Sequence, residues 1–332
     1  MGEFTSGESI KQKQGKVIAF GPIPSRRLGY SIGINHIPPK HCTYACVYCQ
    51  VGRTSHLQVS RRAFYPVSQI IDEVGKKIAE SDSINHPIDY LTLVPDGEPT
   101  LDINLAELIA ELKVYRLPIA VISNASLIDR EDVQDGLLFA DWVSLKVDAI
   151  GEDDWRKINR PHHHLSLPSI LKNILKFRNR FHGELVTETM LVADVNDSDE
   201  AIQKLASFLL KLQPFKSYLS IPTRPPSETW VHPPDPSTLQ KILTVLSDEL
   251  SFIDVLFEAE ALDFISTGII SEDILGITAV HPLREEALKD MLRRSGKDWS
   301  VVDQLIASNK LICIHYRDER FYMRCAPGRD SS

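Results

Sequence analysis

Three of the five cysteines, Cys42, Cys46 and Cys49, fall within eight residues, in the stretch Lys40-His41-Cys42-Thr43-Tyr44-Ala45-Cys46-Val47-Tyr48-Cys49-Gln50. Thiolates spaced two to four residues apart are the ligand pattern of zinc sites and of iron-sulfur clusters. A structural site of either kind takes four protein ligands, and no fourth cysteine lies nearby in sequence. A centre with three protein ligands leaves one metal position open to a substrate or cofactor, which is an arrangement for chemistry. The competing assignment is a zinc knuckle completed by His36 or His41, although zinc motifs usually come as two paired half-sites.

Other polar residues collect at the ends of apolar runs. Gly97 and Glu98, in Pro95-Asp96-Gly97-Glu98-Pro99-Thr100, follow the run 90–94. A glycine there admits close backbone approach to a ligand and a carboxylate receives an ammonium group, while the bland alternative is a Pro-Asp-Gly turn. Ser123 and Asn124 end the next run, Lys146 and Asp148 flank the end of the one after, and Glu188 lies on the following run. Singly, each is an ordinary strand-end polar residue; together they converge on one face. Arg224, in Pro222-Thr223-Arg224-Pro225-Pro226, can clamp an anionic group in two-point fashion or stand in a rigid proline-rich loop. Arg26 and Arg27 precede the cysteine loop and can meet phosphate or carboxylate. His162, His163 and His164 are consecutive, so in regular structure they cannot all face one ion, and they read as a solvated loop. Cys313 and Cys325 read as core packing.

The CxxxCxxC pattern, with an aromatic residue just before its third cysteine, resembles the signature of the radical S-adenosylmethionine (SAM) superfamily. The resemblance implies that Cys42, Cys46 and Cys49 hold a [4Fe-4S] cluster whose fourth iron is chelated by SAM, with Tyr48 near the adenine. It maps Gly97 and Glu98 onto a GGE-type motif that holds the SAM amino group, with Asp96 where a glycine or serine is usual. Ser123, Asn124, Lys146, Asp148 and Glu188 then complete the cofactor-binding set. More narrowly, the run from Phe20-Gly21-Pro22 through Pro24-Ser25-Arg26-Arg27-Leu28-Gly29 to Gly52-Arg53-Thr54 resembles the branch of the tRNA wyosine synthases and their uncharacterised relatives. The second cluster of those synthases needs further cysteines, which Cys313 and Cys325 are too few to supply.

The implied activity is one-electron cleavage of SAM to a 5′-deoxyadenosyl radical that abstracts a substrate hydrogen, with a flavodoxin or ferredoxin as reductant. A tRNA base leads as substrate. The alternatives are a peptide- or protein-modifying radical SAM enzyme and, from another class, an iron-sulfur redox-sensing regulator that binds DNA.

The elements that must position these residues alternate strand with helix from 17 to about 258. That alternation predicts a parallel sheet covered by helices; the resemblance implies an α/β partial (β/α)6 TIM-like barrel at 17–267. Beyond it, three short helices and a hairpin at 268–326 resemble a winged helix, a module for docking or for reading nucleic acid. Residues 1–16 and 327–332 read as polar tails. With 332 residues, 43% apolar and 25% charged, the chain has ordinary globular proportions, and its net charge of −8 argues against unselective attraction to nucleic-acid backbone. No apolar run is long enough to span a membrane, and unpaired cysteines without a secretion signal point to the cytoplasm.

Overall fold

The computed structural model describes residues 17–257 and 264–325. The tails expected at 1–16 and 327–332 lie outside the described residues. Strands β1 (Ala19–Ser25) and β2 (Gly29–Ile34) pair antiparallel. Gly21-Pro22 lies inside β1. A register shift between Phe20 and Ile23 accommodates a proline that has no N–H to give the ladder. Short strands β3 (His41–Cys42) and β4 (His56–Leu57) pair across the base of the cysteine loop.

The alternation follows: α1 (Val67–Ser83), β5 (Tyr90–Leu93), α2 (Leu105–Leu112), β6 (Ile119–Ser123), α3 (Glu131–Leu137), β7 (Trp142–Lys146), α4 (Glu152–Asn159), α5 (Leu167–Arg180), β8 (Glu184–Met190), α6 (Asp199–Leu212), β9 (Lys216–Ser220), α7 (Pro236–Glu249) and β10 (Ile253–Leu256). Residues at helical spacing bury one face of each helix; on α1 these are Val67, Ile70 and Val74. The parallel strands are largely buried, and the hydroxyls they bury pair with one another, Ser31 with Thr92 and Thr187 with Ser217. They form one sheet in the order β1-β2-β5-β6-β7-β8-β9-β10, parallel except for the first pair. Leu28, in the β1–β2 turn, and Leu256, on the opposite edge strand, join one apolar cluster with Ala120, Trp142, Val186 and Tyr218. The sheet therefore curls until its two edges approach.

Six strand–helix units run from β2 to α7, with β1 and β10 as added edges. Beyond them come α8 (Ile270–Val280), β11 (Leu283–Arg284), α9 (Glu285–Arg294), α10 (Ser300–Ala307), β12 (Leu311–Tyr316) and β13 (Glu319–Arg324), the strands ordered β11-β13-β12. Strand β11, too short to show in the sequence, is the addition here. This segment buries a core of its own, including Ile274, Ile277, Leu288, Met291, Val302 and Leu311.

Helix α8 also lies directly on β1. A Cβ at Gly276 would stand 2.9 Å from Phe20 Cβ, so glycine permits that approach. The buried Lys77–Asp273 ion pair, 2.5 Å, ties α1 to α8. Cys313 is exposed and Cys325 only half-buried, contrary to the core packing expected of them, because β12 leaves the core after Leu311. Among the described residues no helix is long and apolar enough to cross a membrane.

Candidate cofactor site

The loop carrying Cys42, Cys46 and Cys49 lies over the carboxyl ends of the parallel strands. Each sulfur receives one side-chain N–H donor, and each donor comes from a different place, while Cys42 Sγ also takes the backbone N–H of Tyr44. Asn124 Nδ2, just past β6, is 3.5 Å from Cys42 Sγ; Asn159 Nδ2, at the end of α4, is 3.4 Å from Cys46 Sγ. Lys40 Nζ, from the start of the loop itself, is 3.6 Å from Cys49 Sγ. Burial pushes the Cys42 thiol up to about 12, with Glu98 adding to it, and raises the Cys46 thiol likewise, with Asp148 adding. Such thiols are neutral until a cationic centre binds and makes them thiolates.

Zinc and a cluster ask for different spacings of their sulfurs. One tetrahedral zinc ion holds its sulfurs about 3.8 Å apart. Among the described residues, the only three ligating side chains with atoms all within 4.8 Å of one another are His162, His163 and His164. The three cysteine sulfurs do not all fall within that span of one another. His36 and His41 do not complete a knuckle either. His36 is buried with Nε2 3.3 Å from the Pro99 carbonyl, and burial holds its ring down at about 4. His41 stacks on His56 at 4.3 Å and faces Arg62 at 2.9 Å. The three consecutive histidines do come together, contrary to expectation, because the chain leaves α4 through left-handed Arg160 (φ 44) and is not regular there.

Gly97 and Glu98 fasten the strand ends to the cysteine loop. A Cβ at Gly97 would stand 2.1 Å from the His41 carbonyl oxygen, so the glycine admits the backbone of the cysteine loop. Glu98 is buried among neutral donors. Its Oε1 accepts from Thr100 N at 3.1 Å, Thr100 Oγ1 at 2.6 Å and Ser123 Oγ at 2.7 Å; its Oε2 accepts from Asn124 N at 2.8 Å. Burial raises the Glu98 carboxyl above its ordinary value, these donors opposing it. Asn124 is held further by Nδ2 donating to Thr43 Oγ1 at 2.8 Å.

On the other side stands an ionic group. Glu188 Oε1 is 3.1 Å from Lys146 Nζ, and its Oε2 meets Arg27 from the β1–β2 turn. Burial pushes the Glu188 carboxyl up, but Lys146 and Arg27 together outweigh it and hold it at about 2. Lys146 Nζ also lies 5.0 Å from the Tyr48 ring centre and 4.0 Å from Asp148 Oδ1. Asp148 accepts from Tyr48 Oη, from Asn159 Nδ2 at 2.7 Å and from Met190 N at 2.8 Å.

These groups border a cavity of about 340 Å³. Tyr48, Cys49, Lys146 and Glu188 line it, with Arg26, Arg27 and Arg224; Gly97, Glu98, Ser123, Asn124 and Asp148 do not. Arg224 NH1 donates to Gln50 Oε1 at 2.8 Å, and NH2 lies 3.1 Å from His281 Nε2. Val280 and His281, at the end of α8, thereby enter the lining. Lys40, Asn159, Gln50 and His281 are functional neighbours that sequence reading does not single out. Only Lys40 and Gln50 carry a signal, as polar residues bordering the cysteine motif.

Three donor-bound thiols lie over the carboxyl ends of a curled parallel sheet, beside a polar cavity, at the face where α/β barrel enzymes carry their active sites. The chain belongs to the radical SAM superfamily, whose sequence profile matches residues 37–206. Members of this superfamily use a [4Fe-4S] cluster and SAM, and those are its cofactors. A UPF0026 protein of Methanocaldococcus jannaschii is 46% identical over 317 residues, 95% of this chain and 98% of that protein. A radical SAM methyltransferase from Sphaerobacter thermophilus has a TM-score of 0.52 at 14% identity, over 69% of this chain and 68% of that one. Streptococcus suis SuiB bound to SAM has a TM-score of 0.50 at 13% identity, over 67% of this chain and 49% of that one. The two structural likenesses show the fold alone.

Proposed function

We propose that this chain is an enzyme that cleaves SAM reductively at a [4Fe-4S] cluster held by Cys42, Cys46 and Cys49, and modifies a substrate whose leading class is a tRNA base. The observation that supports the reading is the side-chain N–H donor at each of three sulfurs that do not all lie within 4.8 Å of one another. Bound there, the cluster and SAM supply one-electron cleavage of a sulfur–carbon bond. The residues of the chain bind, orient and exclude water. Tyr48, Lys146 and Glu188 line the cavity and are our SAM contacts. Gly97, Glu98, Ser123, Asn124 and Asp148 shape the wall that receives the methionine part.

The tRNA assignment rests on the branch resemblance of residues 20–54 and on a lining with four cations, Arg26, Arg27, Lys146 and Arg224, against Glu188. The helix and strand order of 268–326 supports a winged-helix-like docking unit beside a partial barrel at 17–267. A cytoplasmic enzyme reduced by flavodoxin or ferredoxin completes the reading.

Anaerobic reconstitution should load about four irons and four sulfides per chain, and dithionite with SAM should then yield 5′-deoxyadenosine. Cys46→Ala should abolish both. One tightly held zinc per chain with no iron uptake would sink the proposal.

A further inference from the structure

Of the three side-chain N–H donors at the sulfurs, two are amides and the third is the Lys40 ammonium. Lys40 is 5% exposed and left-handed (φ 62), a conformation rare for a residue with a side chain. Its surroundings hold it on every side. Its N–H donates to the Asp96 carbonyl at 2.7 Å, and its own carbonyl accepts from His56 N at 3.1 Å. Its ammonium donates to the Gly52 carbonyl at 2.6 Å and stands 3.6 Å from the Asp96 carboxylate, which is 3% exposed. The side chain therefore reaches from the start of the cysteine loop to its end, with Cys49 Sγ beside its tip. Asp96 also lies within electrostatic reach of Arg324 on β13.

We propose that Lys40 and Asp96 form a charge pair that sets the reduction potential of the centre bound at Cys42, Cys46 and Cys49, Lys40 through its N–H to the Cys49 sulfur and Asp96 by holding that ammonium. The inference rests on the cluster reading given above. Reduction adds an electron, so a buried cation beside a ligand sulfur favours the reduced state and a buried anion disfavours it. Asp96 is then a functional substitution in a loop position where a side chain without charge would serve the backbone equally well. Both residues act through the cysteines and are positioning residues.

The test is a redox titration of reconstituted full-length protein without SAM, followed by electron paramagnetic resonance, with iron and sulfide content measured on the same samples. Lys40→Met keeps the aliphatic stem and removes the charge; its midpoint should move to a more negative potential. Asp96→Asn keeps Lys40 on the Gly52 carbonyl and removes the anion; its midpoint should move the opposite way. A residue that only braced the loop would change cluster occupancy in both variants and the potential of the loaded fraction in neither. If Lys40→Met fails to load, the positive shift in Asp96→Asn decides. Unshifted potentials, shifts of the same sign, or failure of both variants to load overturn the inference while leaving the cluster reading standing. Absence of iron from the unsubstituted protein removes the cluster reading itself.

Discussion

Glu98 and Glu188 each stand at the carboxyl side of a parallel strand, the first buried and the second mostly so, yet their surroundings push them in opposite directions. Glu98 has only neutral partners and its carboxyl is raised; Glu188 has Lys146 and Arg27 and is held at about 2. The first environment suits a fastener, whose four accepted hydrogen bonds join the β5 and β6 ends under the cysteine loop. The second suits a counter-ion, which keeps two cations desolvated and facing a cavity. Two carboxylates in similar sequence positions thus divide into a structural and an electrostatic role, a division set by what folds next to them.

The largest effect that would break this contrast is at Glu188. Glu188→Gln leaves Lys146 and Arg27 buried without their shared anion and should cost about 3 kcal/mol of stability by urea denaturation at pH 7. The acid dependence has a definite sign. The folded carboxyl titrates at about 2 and the unfolded one at 4.5, so the contribution is complete above 4.5 and is lost as pH falls through 2. It amounts to roughly 3 kcal/mol over that window. The variant should lack this segment of the acid titration; an unchanged curve would mean that the cations find other partners.

Glu188 and the cysteines were legible in the sequence for the same reason: each depends on position along a strand or on spacing within one loop. The strand–helix alternation from β2 to β10 was legible because hydrophobic periodicity is local. Lys40, Asn159 and the Gln50–Arg224–His281 bridge were not, since they meet through irregular backbone and contacts over long sequence separation. Left-handed Lys40 and Arg160 turn the chain where no periodicity announces a turn. For the same reason Gly97 is misjudged from sequence: its required smallness shows, but the backbone it makes room for is that of His41.

A smaller effect should appear at Glu98. Glu98→Gln turns one acceptor oxygen into a donor facing either the Asn124 N–H or the hydroxyls of Thr100 and Ser123, and should cost about 1 to 3 kcal/mol. Its pH signature is the reverse of that at Glu188. Because the folded carboxyl is raised, its contribution is fully present below 4.5 and lost as pH rises through the folded value. The variant should lose less stability than the unsubstituted protein on going from pH 4.5 to neutrality. SAM affinity, measured by equilibrium dialysis on loaded protein, should fall with it, because the Asn124 backbone is released. Unchanged affinity would separate Glu98 from the cofactor site.

The smallest effect is expected at Tyr48, which joins the two halves of the ionic side. Tyr48→Phe keeps the ring under Lys146 Nζ and deletes only the hydroxyl that donates to Asp148. Asp148 retains Asn159 Nδ2 and Met190 N, so no buried carboxylate is left without donors, and the cost should be about 1 kcal/mol. Tyr48 and Glu188 share no direct contact among their hydrogen bonds and communicate through Lys146, which is 3.1 Å from Glu188 and 4.0 Å from Asp148. In a double-mutant cycle the Tyr48→Phe and Glu188→Gln costs should therefore couple through Lys146, by about 0.5 to 1 kcal/mol. A larger coupling would show that Asp148 takes over the Lys146 charge when Glu188 is neutral, and that Tyr48, Lys146, Asp148 and Glu188 form one electrostatic unit.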